Sequence, residues 1–430
     1  MRFDLGSFLI GLLGGLLIAF GIYRLRDAFA RLRQRAQAAG GEAHRFFSAP
    51  PEVRYARRAA QLFNAYHLGG DLLPLRALYL EPHFLAPPPL KPDEEEAPSV
   101  ASIVPILHDF PAAYAPYNLE TLSLLDLQKS ERHLALLARS GMGKSTALAL
   151  LGLMALGEIV PTLIDTSRDE YFERSLAERP PEERERLRRQ YQENQRRALE
   201  KLNARFKRSA QSADQDLIDF RSLLPILVHL RDIDVRPTSY GVQPPPPSTD
   251  SADAKRSSQS GARPVLKPLD PAEPLVKALQ RRFGGAAASQ LPKLVYRRLA
   301  EGSCLVLIDG YDELPELEKP EKLTWLSQFM ALYAANVVIV AADVNGYDPL
   351  AQLGFQACYL RAWREADFDR LAERWAEAWS QTGKGAQPPD PKRVARAKAG
   401  NRGRTILDVT LKIWSDYADD LKMTGRLGWY

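Results

Sequence analysis

Cysteine is nearly missing from this chain. Only Cys304 and Cys358 occur in 430 residues. Both lie in apolar, strand-like runs, so a disulfide framework or a Cys-rich zinc cluster is excluded and a reducing compartment is implied. Histidine is also scarce, with six residues and none beyond His229, and no Cys/His spacing matches a zinc site. RNA-binding signatures are absent too. A net charge of +5 with a pI near 9.0 is basic. The arginines, however, concentrate in residues 24–35 and 184–208, so nucleic acid is not the expected partner.

What is present begins with one long run free of charge, residues 5–23, reading LGSFLIGLLGGLLIAFGIY. As a helix it would extend roughly 28 Å, near the thickness of a bilayer's hydrocarbon core. Arg24, Arg26, Arg31, Arg33 and Arg35 follow it, against Arg2 alone before it. The positive-inside rule then keeps the rest of the chain in the cytoplasm. Ala28-Phe29-Ala30 matches a signal-peptidase site. Yet Arg24 and Arg26 separate it from the apolar core, and no excess of positive charge precedes that core. The expectation is a retained single-pass anchor in the cell membrane. Ser7, Gly11, Gly15 and Ala19 repeat at intervals of four, a spacing that lets membrane helices approach closely. The basic juxtamembrane segment 24–50 suits anionic lipid headgroups.

Beyond the anchor, 45% apolar content supports a packed core. Residues 51–68 form an amphipathic helix pattern and 75–85 an apolar stretch, together a small N-terminal helical region, 51–85. Residues 86–99, with five prolines and the acidic run 93–96, read as a linker. Residues 100–362 alternate apolar runs with helical patterns, which predicts an α/β fold with a parallel sheet and helices on both faces. Strands are expected near Leu134, Leu224, Leu305, Val337 and Tyr359. Helices are expected over 146–156, 275–282, 292–301 and 322–333, then over 367–381 and 406–423. Two insertions interrupt this core. Residues 180–212, rich in Arg, Glu and Gln, read as a solvated helix; 238–268, with four consecutive prolines, reads as a flexible loop.

Two segments carry chemistry. Residues 138–146, ARSGMGKST, fit the phosphate-loop pattern G-x-x-x-x-G-K-[ST] with Ala138 in place of the first glycine. An apolar strand, residues 133–137, precedes the loop and a run of helix formers follows, the context this motif requires. Ser140, Gly141, Met142 and Gly143 would turn backbone N–H groups around phosphate oxygens, where a Cβ at either glycine would crowd the anion. The helix N-terminus adds about half a positive charge at the same place. Lys144 would reach the β- and γ-phosphates, the Ser145 hydroxyl would ligate Mg²⁺, and Thr146 completes the motif.

The second segment, residues 305–313, reads LVLIDGYDE. Its continuous apolar run suits a central parallel strand buried on both faces. Asp309 at the carboxyl end would face the ligand crevice and serve as the second anchor for Mg²⁺. Gly310 would leave room beside the metal. Asp312 and Glu313 follow close enough to orient or deprotonate an attacking water, Glu313 being the expected base.

An apolar strand followed by Asp-Gly-x-Asp-Glu resembles the Walker B segment of NACHT-type NTPases, in the STAND branch of AAA+-like P-loop ATPases. The resemblance runs in weaker form over residues 75–414. Residues 224–230, LPILVHL, are similar to the strand between the two Walker segments, and residues 337–342 occupy the sensor-strand position. That strand ends here in Ala341-Ala342-Asp343-Val344-Asn345, where such proteins commonly carry Thr/Ser-Ser-Arg, so arginine sensing of the γ-phosphate at that point is not expected. The usual winged helix with its sensing histidine does not follow either; residues 363–430 read as a helical lid, apparently truncated. The resemblance implies that the Walker A strand sits centrally, with the sensor strand between it and the Walker B strand. It implies a membrane-anchored NTPase working as a nucleotide-dependent switch, binding Mg²⁺ with ATP or GTP and self-associating when active. A conventional AAA+-like motor, or a nucleotide-binding scaffold without hydrolysis, are the other readings. The protein partner, stimulus and effector are not written in the sequence.

Overall fold

In the computed structural model, the described residues are 50–85, 121–129, 131–161, 179–190, 218–240, 269–382 and 388–418, with 176, 193 and 197. The chain divides into two units, residues 1–56 and 57–430. The expected anchor 5–23, the basic segment 24–49, the linker 86–99 and most of both insertions lie outside the described residues. Among the described residues no helix is long and apolar enough to cross a membrane.

The larger unit is a mixed α/β fold built on a seven-stranded sheet. Its strands are β1 (Phe84–Leu85), β2 (Thr121–Leu122), β3 (His133–Leu137), β4 (Leu224–His229), β5 (Cys304–Asp309), β6 (Val337–Ala342) and β7 (Gln356–Leu360). They lie in the order β2-β1-β7-β3-β6-β5-β4. The five from β7 to β4 are mutually parallel, while β1 runs antiparallel to β7 and β2 antiparallel to β1. Every residue of β5 and β6 is buried, which is why both read as unbroken apolar runs without alternation. Pro225, which has no N–H for a ladder, sits in β4, an edge strand of the sheet.

The helices are α1 (Pro51–Asn64), α2 (Lys144–Ala155), α3 (Ala272–Phe283), α4 (Gly285–Ala300), α5 (Lys319–Tyr333), α6 (Asp348–Gln352), α7 (Glu365–Ser380), α8 (Pro391–Lys398) and α9 (Ile406–Ala418). Residues 181–190 are also helical, mostly exposed, with Arg189 paired to Glu185 one turn away. Helix α2 packs against β4, β5 and β6, and α3 against β4. Buried Asn336 fixes the start of β5. Its Oδ1 accepts the Cys304 N–H at 3.0 Å, and its Nδ2 donates to the carbonyls of Leu299 and Tyr333. Cys304 and Cys358 are both buried and free, and burial pushes the Cys358 thiol up to about 12.

A second core joins α7, α8 and α9 to the segment after α1: Leu73 and Leu78 pack with Phe368, Leu371, Trp375, Val409, Ile413 and Tyr417. Helix α9 opens with a reciprocal cap. The Thr405 hydroxyl donates to Asp408 Oδ2 at 2.8 Å and accepts the Asp408 N–H.

Several sequence expectations need correction. The two-residue strands β1 and β2 and the short helices α6 and α8 carry too little pattern to be read in advance. The helix expected from Pro292 begins at Gly285 and carries Pro292 inside. The helix expected over 51–68 ends at Asn64. Residues 238–240, assigned to the flexible loop, belong to a 3-10 turn over Pro237–Tyr240.

Candidate functional site

The chain connections leaving β3 and β6 run in opposite directions across the sheet, toward β4 and toward β7 respectively. Open α/β sheets bind ligands in the crevice at the carboxyl ends of strands where order reverses in this way. The loop after β3 is residues 138–143, and it leads straight into α2. Gly141 and Gly143 have φ of +78° and +89°, a region that L side chains rarely adopt. Gly143 caps α2 in this left-handed conformation, so the loop glycines are set by backbone geometry as well as by space.

Lys144, which opens α2, is a buried side chain. It is 8% exposed. Its ammonium donates to the Ala138 carbonyl at 2.7 Å and pairs with Asp312 Oδ2 at 3.0 Å. The lysine is thereby folded over its own loop, with the acidic segment after β5 on its other side.

Asp309 ends β5 and is 4% exposed. Its Oδ1 accepts the Gly310 N–H at 3.0 Å, and its Oδ2 accepts the Tyr66 hydroxyl at 2.8 Å. The Arg282 guanidinium lies 4.5 Å from the centre of the Tyr66 ring and donates to the Leu227 carbonyl. Burial, and then the neighbouring Asp309 charge, hold the Tyr66 phenol well above its ordinary range, so it remains a donor.

Glu313, with its side chain 54% exposed, takes a bond from His229 Nε2 at 3.3 Å and lies 3.6 Å from Arg231 Nη2. His229 Nδ1 accepts the Arg231 N–H at 3.1 Å. That acceptance puts the ring proton on Nε2, facing Glu313. His229 and Asp309 are register partners at the ends of β4 and β5. Gly310 was expected to leave room for a metal. Its φ is +79°, and a Cβ there would fall 2.2 Å from the His229 ring, so the space it leaves is filled by imidazole.

Tyr66, Lys144, Asp309, Asp312 and Glu313 meet at one cavity of about 350 Å³, a size in the range of small-molecule sites. One end is lined by residues 140–146 together with Asp309, Asp312 and Glu313. The other end is apolar, lined by Leu75, Leu78, Pro82, Trp363, Leu371 and Trp375. Helix α9 closes over the glycine-loop side. The Leu407 N–H donates to the Gly141 carbonyl at 3.0 Å, and Thr405 would stand 3.0 Å from a Cβ on Gly141.

The residues expected to hold phosphate, metal or water all border this cavity: Ser140, Gly141, Met142, Gly143, Lys144, Ser145, Thr146, Asp309, Asp312 and Glu313. Tyr66, His229, Arg231 and the apolar wall were missed. A histidine ending the strand beside Asp309 was a usable signal. Tyr66 lies 243 positions before Asp309, and nothing local marks it. The residues that follow β6, Asp343 and Asn345, do not line the cavity; Asp343 Oδ1 accepts the Asn345 N–H at 3.0 Å. Among the described residues, no group of three or more His, Cys, Asp or Glu converges as a metal cage.

No protein-family model matches the sequence, and no curated protein or solved structure matches it.

Proposed function

We propose that this chain is a membrane-anchored, NACHT-like nucleoside triphosphatase acting as a nucleotide-dependent switch. The observation that carries the proposal is the single cavity in which the glycine loop, Lys144 and three carboxylates face an apolar end. On this reading the sheet is that of a P-loop NTPase, with helices on both faces, and α7–α9 form the lid. The strand order supports it, since β6 lies between β3 and β5.

The phosphates would lie along residues 140–146, taking N–H donors from the loop and charge from Lys144. For this Lys144 must exchange its pairing with Asp312 for one with phosphate. Ser145 and Asp309 both line the cavity. One hydroxyl and one carboxylate fit Mg²⁺, which draws its remaining ligands from phosphates and water. When bound, Mg²⁺ would neutralise charge developing on the β- and γ-phosphate oxygens. Glu313 is the general base, oriented by the Nε2–H of His229. Among the described residues, the apolar end carries no carboxylate to accept the ring and amino N–H groups of guanine, which favours ATP over GTP.

Binding without turnover is the second reading, and it draws on the hold that His229 and Arg231 have on Glu313. Phosphate release from Mg·ATP separates the two. The full-length chain should hydrolyse ATP slowly, and Glu313→Gln should lower the rate roughly a hundredfold while leaving binding intact, the usual weight of a general base. Saturable ATP binding with no release from the wild type would favour the scaffold. Unchanged release in Glu313→Gln would remove Glu313 from the mechanism.

A further inference from the structure

The end of α1 and the residues just after it make two contacts that the NTPase reading does not require, the second of them at the cavity. Phe63, in the last turn of α1, lies against Gly152 in the middle of α2; a Cβ on that glycine would stand 2.6 Å from the phenyl ring. Three residues later Tyr66, tied back by its own N–H to the Phe63 carbonyl, donates its hydroxyl to Asp309 Oδ2. One short stretch of chain thus touches both the helix that follows the phosphate loop and the carboxylate that ends β5.

Asp309 has little freedom left. Oδ1 is turned back on the Gly310 N–H, and Oδ2 holds the phenol. A divalent cation needs a carboxylate oxygen at close range and in line with a lone pair. Each oxygen keeps a second lone pair, but the Tyr66 hydroxyl stands 2.8 Å from Oδ2, so a cation taking that oxygen must share it with the phenol or displace it. Arg282 braces the Tyr66 ring from its face, so the phenol does not swing freely.

We propose that Tyr66 is a latch on Asp309: its hydroxyl competes with the divalent cation for Oδ2, so metal loading requires residues 63–66 to loosen. The latch rests on the nucleotide-site reading for its purpose, but not for its test. It makes the segment carrying α1 a control element of the site. Anything that displaces this segment would open Asp309 to metal, and metal binding would in turn release the segment.

The test uses Mn²⁺ alone as the probe, with the full-length chain and no nucleotide, free Mn²⁺ being read by electron paramagnetic resonance. The site is defined as the Mn²⁺ binding lost in Asp309→Asn. Tyr66→Phe, which removes only the hydroxyl, should bind Mn²⁺ at that site about tenfold more tightly, the weight of one hydrogen bond to a charged group. Equal affinity in Tyr66→Phe overturns the latch. Weaker affinity also overturns it and makes Tyr66 a support for the metal-binding geometry. Absence of any Mn²⁺ site sensitive to Asp309→Asn overturns it as well. Should Tyr66→Phe fail to fold, amide hydrogen exchange in the wild type decides the matter: Mn²⁺ should speed exchange in residues 63–73, and unchanged or slower exchange refutes the latch. Failure to bind ATP would sink the nucleotide reading with these metal results untouched. ATP binding without the Tyr66→Phe effect would sink the latch alone.

Discussion

The two ends of the cavity are built in opposite ways. At the polar end, nearly every group comes from two short segments, residues 138–146 and 309–313, each placed by the buried strand before it. At the apolar end the wall is gathered from residues 75–82 and 360–375, two stretches far apart in sequence and joined through the core of α7 and α9. The first end is held by backbone geometry and hydrogen bonds, the second by packing. Change at the polar end should therefore alter chemistry sharply without unfolding the protein. At the apolar end, change should alter affinity gradually and stability along with it.

At the polar end a clear effect on chemistry is expected at His229. Its Nε2–H holds Glu313 and its ring fills the space above Gly310. His229→Ala should lower kcat for ATP about tenfold and leave KM unchanged, and it should add little to Glu313→Gln, since both changes disable one unit. A rise in KM with constant kcat would place His229 in binding instead. A smaller effect is expected at the apolar wall. Trp363 lines the cavity and packs, only partly buried, against the core of α7, α8 and α9. Trp363→Ala should weaken ATP binding about fivefold, given the apolar area lost, with inorganic tripolyphosphate binding unchanged. Equal losses for both ligands would show that the two ends are not separable.

The smallest effect concerns pH. Burial lowers the His67 and His133 imidazoles below their ordinary 6.5, against backbone contacts that raise them. Below pH 6.5 the unfolded chain therefore binds more protons at these positions than the folded one, and stability falls as the pH drops. Chemical denaturation at pH 7.5 and pH 5.5 should show the loss, and His67→Gln should remove part of it. Equal stability at the two pH values in both proteins would contradict the burial argument.

The parallel strands were legible because strands buried on both faces need unbroken apolar runs, as in residues 304–308 and 337–342. The loop between β3 and α2 was legible because its two glycines are contiguous with the apolar strand before it and the helix formers after it. Strands β1 and β2 were not, since two residues each show no period. The pairing of Lys144 with Asp312 and of Asp309 with Tyr66 was also hidden, because pairing between side chains depends on which strand ends become neighbours. The same holds for Gly310. A metal-side role looked natural from the sequence, yet the residue it accommodates is a histidine from the adjoining strand.

The central claim is that residues 140–146 and the apolar wall bind one nucleotide together. Isothermal titration of Mg·ATP into the full-length protein tests it most directly, with Lys144→Ala as the comparison. Lys144 supplies a fixed positive charge at the loop and would act on phosphate as a point charge. The account predicts one saturable site per chain that Lys144→Ala weakens at least a hundredfold while the fold persists. Unchanged Mg·ATP affinity in a folded Lys144→Ala protein would contradict it.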